Sequence, residues 1–332
     1  MNAQNTQGRL LVFDCHEAWV YQLRLLDQPM DVVVGLKGRH TAGWDYCMRP
    51  APPNARMVRL QEALVAREPY DCIIAHNLTD LLDVKSLAAP RLFVIHGTLE
   101  GIVLEERSAT PMDQLRHATA HYLNLVGAHA IAISPLKARS WALGDESLPP
   151  AVDAADYLPY CGDLARGLRV ANHIRRRPHT LLWDFHEAAF ADLPMTLIGH
   201  NDDMPGVAAA RDWTELKEQM SHHRFFVHTA DVRLEDGYNL ATLEAMAAGL
   251  PILGNRHPTS PVEHGASGFL SDDPEELRHY ATRLLADQHL AAQMGREAQK
   301  IVAEKFPPGE FKAGMTRAIE IARRKWREHQ RA

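Results

Sequence analysis

The chain has 332 residues, 46% of them hydrophobic and 23% charged, with a net charge of −6. That length suits about two domains of roughly 150 residues each, and the negative balance argues against nucleic acid as the main partner. No apolar run approaches the ~20 residues a membrane span needs, and the polar start MNAQNTQGRL lacks a signal-peptide core, so a cytoplasmic protein is expected.

In chain order, RLLVFDC (9–15), DVVVGL (31–36), DCIIAHN (71–77), RLFVIHG (91–97) and AHAIAISP (128–135) are strand candidates. Continuous apolar strands alternating with helical patterns indicate a parallel sheet covered on both faces. Such sheets bind ligands at the carboxyl ends of their strands. Cys15-His16-Glu17, His76-Asn77, His96-Gly97-Thr98 and Ser134 fall at those ends.

GDESLPPAVDAADYLPYCGDLAR (144–166) has three prolines, several acids and no sustained period, so it reads as a connection. The alternation then resumes with LRVANHI (168–174), MTLIGHN (195–201), RFFVHT (224–229) and PILGN (251–255) as strands. TLLWDFHEAAFADL and TELKEQMSHH are helical segments between them. In DDPEELRHYATRLLAD, Asp273 is placed to cap a helix, Pro274 fits its first position and Glu276 would complete a capping box. Two further helices follow. The basic end, RRKWREHQRA, suits a solvated helix or attraction to an anionic membrane surface.

EDGYNLATLEAMAAGLPILGN (235–255) carries the densest chemistry. TLEAMAA is built of good helix formers, Gly249 suits a left-handed cap, and Pro251 prevents continuation. Gly237 and Asn239 allow a tight turn before the helix, whose amino end would lie at the carboxyl edge of the sheet. Unpaired N–H groups there favour phosphate. Carboxylates at Asp236 and Glu244 would instead accept hydroxyls, so an elongated ligand such as a nucleotide sugar fits. Acidic residues near a helix start are also stabilising without any ligand.

The same stretch resembles the signature of retaining glycosyltransferases of family 4. In that pattern an acid, Gly, an aromatic, a small residue and Leu are followed by Glu-Ala-Met-Ala-x-Gly-x-Pro. The likeness extends more weakly from about residue 128 to 306. It includes AIAISP, DAADYLPY, HGASGFLSDDPEEL and LLADQHLAAQMGREAQKIVAEKF, while the first 90 residues are generic.

The resemblance implies an α/β GT-B fold, two doubly wound Rossmann-like domains facing a cleft, with C-terminal helices. The expected domains are 1–150 for the acceptor, 151–310 for the donor, and 311–332 as a helix that crosses back to the first domain. The implied activity is retaining transfer of a hexose from a nucleoside-diphosphate sugar to a glycan, lipid-linked or other acceptor hydroxyl. No metal or cofactor is implied, and UDP is slightly favoured over GDP. Alternatives on the same fold are a non-catalytic sugar-nucleotide sensor or scaffold, or a sugar-nucleotide epimerase or hydrolase.

By resemblance, Glu244 binds the ribose hydroxyls and Asp236 sits near the donor sugar, with Glu235 as its substitute. The backbone at Gly237, Tyr238, Asn239 and Leu240 helps hold that sugar, and His96 approaches it from the N-terminal domain. Basic groups neutralise the diphosphate. The first such position here holds Asn172 or His173, and Arg177 or Arg175 takes the role. Thr259 and Ser260, in HPTSP (257–261), stand where the family has Gly-Gly. CHEAWV replaces the family's first Gly-rich loop, and His16 and Glu17 are candidates on the acceptor side.

Other chemistries find little support. The four cysteines (Cys15, Cys47, Cys72, Cys161) include no CxxC pair. His222, His223 and His228 match no metal-ligand spacing. Neither a P-loop nor a G-x-S-x-G elbow occurs.

Overall fold

The computed structural model describes residues 8–36, 43–143 and 146–331. The first seven residues, and the first two of the connection at 144–166, lie outside that set. The chain divides into two compact units. Unit 1 takes in Met1–Leu99, Glu106–Pro150 and Gly309–Ala332; unit 2 takes in Glu100–Glu105 and Ala151–Pro308.

Unit 1 is built on a six-stranded parallel sheet of β1 (Leu10–Phe13), β2 (Met30–Val33), β3 (Ala55–Val58), β4 (Cys72–Ala75), β5 (Arg91–Ile95) and β6 (His129–Ala132). The spatial order is β3-β2-β1-β4-β5-β6. Strands β1, β2, β4 and β5 are buried along their whole length, as continuous apolar runs in a sheet covered on both faces should be. The edge strand β3 escaped the sequence reading because ARMV is half exposed and has no apolar run. Its Arg56 donates to the buried Asp31 of β2 at 2.8 Å, and Tyr70 Oη adds a bond at 3.0 Å. These bonds offset the cost of burying that carboxylate.

The last helix, Pro308–His329, packs on unit 1. Phe311 is buried, with its ring centroid 6.1 Å from that of Trp19. Lys312 pairs with Asp27 at 2.7 Å, Arg323 pairs with Asp71, and the Arg91 guanidinium lies 4.7 Å from the Trp326 ring. Among the described residues, no helix is long and apolar enough to cross a membrane.

Unit 2 has a five-stranded parallel sheet of β7 (Leu164–Val170), β8 (Met195–Ile198), β9 (His223–Val227), β10 (Ile252–Gly254) and β11 (Gly268–Leu270), in the order β11-β10-β9-β7-β8. β7 starts and ends four residues before the expected 168–174, and the chain leaves it through His173 in the left-handed region at φ 53°. β11 is only three residues long, too short to stand out as an apolar run.

Helix Leu240–Ala247 follows β9, and Gly249 ends it at φ +90°, a conformation that costs glycine little. Asp273 caps helix Pro274–Ala286 by accepting from the Glu275 N–H at 3.0 Å. Glu276 does not close the expected capping box. Its carboxylate is taken by the Ser271 hydroxyl and by Tyr280 Oη at 2.7 Å.

Candidate functional site

In unit 2 the order in which the chain adds strands reverses between β7 and β9, and the loops after β7, β9 and β10 leave the carboxyl ends of adjacent strands. Ligands of open α/β sheets bind at such a reversal. The loops after β9 and β10 are tied by one side chain. Asn255 accepts from the Ala230 N–H and donates back to the Ala230 carbonyl, both at 3.0 Å. The loop after β7 is tied to that after β8 by Asn201, which accepts from Ile174 N at 2.8 Å and donates to Ala171 O at 2.9 Å.

Asp236 and Glu244 are both buried, at 1% and 4% exposure. His228, the first residue after β9, donates from Nε2 to the Asp236 carbonyl at 3.2 Å. Burial pushes the His228 pKa down to about 4, with the nearby Arg169 adding to the effect, so the ring is neutral at pH 7. Asn239 caps the helix, its side chain accepting from the Thr242 N–H at 2.8 Å. Glu244 lies within that helix. The Tyr238 ring is core, 5.4 Å from the Phe306 ring, and Leu240 packs on the same cluster.

Thr259 is brought to the turn. Its hydroxyl accepts from the Gly237 N–H at 2.8 Å and lies 3.1 Å from His257 Nδ1. The Gly237 N–H, offered to a sugar by the sequence, is therefore engaged within the protein. The approach is close: a Cβ at residue 237 would stand 2.7 Å from the His257 Cβ, so only glycine fits without a shift. Ser260 accepts from Val262 N at 3.3 Å.

Of the two candidate arginines, Arg177 points at the acidic turn and Arg175 does not. Arg177 donates from Nε to the Glu105 carboxylate at 2.8 Å, and its Nη2 lies 3.8 Å from Glu235. Glu235 also accepts from the Asp236 N–H at 2.9 Å. Thr180 Oγ1 donates to the same Glu105 oxygen at 3.0 Å. Arg175 instead reaches the Asp203 carbonyl at 3.0 Å. At the first basic position, Asn172 accepts from His200 N at 2.9 Å, and His173 stands in the left-handed region at the turn. Sequence reasoning missed Glu105, Thr180, Asn255 and His257. Only Asn255 and His257 lay near the recognised motif.

Unit 1 carries its own cluster. His96, the residue after β5, has Nε2 2.9 Å from Nδ1 of His76, the residue after β4. The Trp19 ring stands T-shaped to both, with centroids 5.2 and 5.1 Å away, and the His16 ring lies 5.2 Å from that of His96. Burial first, then the neighbouring His76, His16 and Lys137, push the His96 pKa well below its ordinary value. Glu17 accepts from the Asp45 N–H at 3.2 Å. The three histidines set aside for metal have other uses. His222 pairs with Asp163 at 2.7 Å, His223 bonds Gln219 O and Thr196 Oγ1, and His228 serves Asp236.

Residues 195–287 match the family model described as glycosyl transferases group 1. N-acetyl-alpha-D-glucosaminyl L-malate synthase of Bacillus anthracis is 36% identical over 76 residues, which is 22% of this chain and 20% of that protein. Sucrose-phosphate synthase from Thermosynechococcus elongatus superposes with a TM-score of 0.64 at 16% identity, over 93% of this chain and 98% of that one. Anabaena HepE, solved with UDP-glucose, gives 0.65 at 14% identity, over 94% and 99%. TarM gives 0.57 at 14% identity, over 75% of this chain and 54% of its own. At these identities the structural likeness is one of fold.

Proposed function

We propose, for a chain whose residues 195–287 match the glycosyl transferases group 1 model and whose two parallel sheets have the GT-B fold, that unit 2 binds a nucleoside-diphosphate sugar and that the chain transfers the sugar with retention at the anomeric carbon. The observation that carries this is the burial of two carboxylates, Asp236 and Glu244, within the matched segment beside the carboxyl edge of the sheet. A carboxylate accepts hydroxyl donors well, and a sugar nucleotide carries hydroxyls at both ends.

In this reading Glu244 takes the ribose hydroxyls, and Asp236, or Glu235 beside it, takes the donor sugar. The backbone of the turn from Gly237 to Leu240 lines the sugar. Arg177 and Arg175, the helix amino end, and Thr259 and Ser260 stabilise charge on the departing diphosphate. No divalent metal is invoked for that role. The bond from the anomeric carbon to phosphate oxygen breaks as the bond to the acceptor oxygen forms on the same face. The acceptor proton goes to the departing phosphate. His96 is assigned to the donor sugar, and His16 and Glu17 to a glycan or lipid-linked acceptor. UDP is the first candidate nucleotide, since HepE was solved with UDP-glucose and a TarM mutant with UDP.

The test is a thermal-shift panel of UDP, GDP and ADP on wild type and Glu244→Ala. At ~100 times Kd a ligand adds ~2.7 kcal/mol of stability. One nucleotide should stabilise wild type and not the variant. If none stabilises the folded wild type, the donor-site reading is wrong.

A second reading is a sensor that binds the sugar nucleotide without transferring it. It is favoured by the engagement of Arg177 with Glu105 and Glu235 and of the Gly237 N–H with Thr259. Incubation with the matching sugar nucleotide separates the two. Slow release of free sugar with retained anomeric configuration, read by NMR, supports the transferase, and an intact nucleotide sugar supports the sensor.

A further inference from the structure

We propose that unit 1 binds a transition-metal ion of the zinc class through Cys15, His76 and His96. The ligand atoms these three residues offer, one thiol sulfur and two ring nitrogens, all lie within 4.8 Å of one another. They come from three adjacent parallel strands. Cys15 stands two residues past β1, His76 one past β4 and His96 one past β5. In the order β3-β2-β1-β4-β5-β6, strands β1 and β4 flank the reversal of the sheet, where adjacent crossovers depart to opposite sides and leave room for a ligand.

The donor set selects the ion. Thiolate and imidazole suit zinc, copper, cobalt and nickel, whereas magnesium and calcium ask for oxygen. Zinc bound at about 2.0–2.1 Å to nitrogen and 2.3 Å to sulfur spaces neighbouring ligand atoms by about 3.3–3.6 Å in a tetrahedron. His76 Nδ1 and His96 Nε2, at 2.9 Å, need to part by only a few tenths of an ångström. The metal then takes the place of the proton those two nitrogens share, that proton moves by way of solvent to the far nitrogen of its own ring so that both imidazoles stay neutral, and the Cys15 thiol releases its proton to solvent. Both rings stand T-shaped against Trp19. His76 is buried, while Cys15 and His96 are half-buried, so the set has a closed back and an approachable side. Three protein ligands leave a fourth position for water or an added group. A metal on Nε2 leaves only Nδ1 of His96 to a sugar hydroxyl. The three ligands all belong to unit 1, so the inference does not require nucleotide binding in unit 2.

The experiment is titration of the full chain with cobalt(II), the spectroscopic substitute for zinc, followed by back-titration with zinc. Wild type should show visible bands of a tetrahedral ion and a thiolate-to-cobalt charge-transfer band in the near ultraviolet, both bleached by zinc. Cys15→Ser should lose the charge-transfer band, and His76→Gln should weaken binding more than 10-fold. Absence of the charge-transfer band in folded wild type overturns the proposal whatever the variants do. So does its survival in Cys15→Ser, which would place the metal on Cys47, Cys72 or Cys161. Nucleotide-induced thermal shifts on the same samples report unit 2 separately.

Discussion

Arg177 and Glu105 are 72 positions apart in sequence, yet Arg177 Nε donates to the Glu105 carboxylate at 2.8 Å, and the same guanidinium faces Glu235 at 3.8 Å. The cation expected to receive a diphosphate is thus shared between two carboxylates. A phosphate must compete with both for it.

Glu105→Gln should therefore tighten nucleotide binding. A partly exposed pair of this kind is worth about 0.2–1 kcal/mol, so the gain should reach at most about 5-fold by titration calorimetry. Arg177→Ala should weaken binding, and adding Glu105→Gln to it should restore nothing. An equal gain in both backgrounds would remove Arg177 from the phosphate role.

Gly237→Ala should destabilise unit 2 by about 1–3 kcal/mol, because the new methyl meets the His257 Cβ at 2.7 Å in a packed setting. Gly309→Ala is the control. Nothing lies within 4 Å of its added Cβ, and it sits in the first turn of helix Pro308–His329, so it should be neutral or slightly stabilising. Urea midpoints of the two variants should differ in that direction.

Asn255→Ala removes both bonds to Ala230, which is buried, and strands its N–H and carbonyl. Leaving two buried groups unsatisfied should cost about 2–4 kcal/mol. Asn255→Asp keeps the acceptor but sets a buried carboxylate oxygen against the Ala230 carbonyl, so its urea midpoint should fall below that of wild type at pH 7 and recover in part as the carboxyl is protonated.

Stability should fall on acidification because His228 is buried neutral. Its pKa drops from 6.5 to about 4 on folding, so between those values the unfolded chain binds more protons. The contribution is complete above pH ~6.5 and is lost as pH falls toward ~4, amounting to about 3 kcal/mol at most. His186 and His223 are lowered by burial too and act in the same direction. A plot of Tm against pH should be shallower for His228→Gln than for wild type across that window, and parallel curves would remove His228 as a contributor.

The helix at 240–247, its Gly249 cap and most of the strands were legible in the sequence. Helix formers, left-handed glycine and continuous apolar runs act over a few residues, so they speak before the chain folds. The edge strand β3 and the three-residue β11 were not legible, because they are held by their neighbours' hydrogen bonds rather than by their own apolar content. Likewise Asp273 revealed the start of its helix, but the partners of Glu276 depended on where Ser271 fell.

The sequence alone determined most of the segments that form strands and which carboxylates sit beside a helix start. Only the tertiary structure decided that Glu105 meets Arg177, that Asn255 ties Ala230, and that Cys15, His76 and His96 converge. The reason is physical. Strand order is set by burying both faces of a whole sheet, a collective requirement. A side chain's partner at a strand end therefore depends on which distant strand lies next to it.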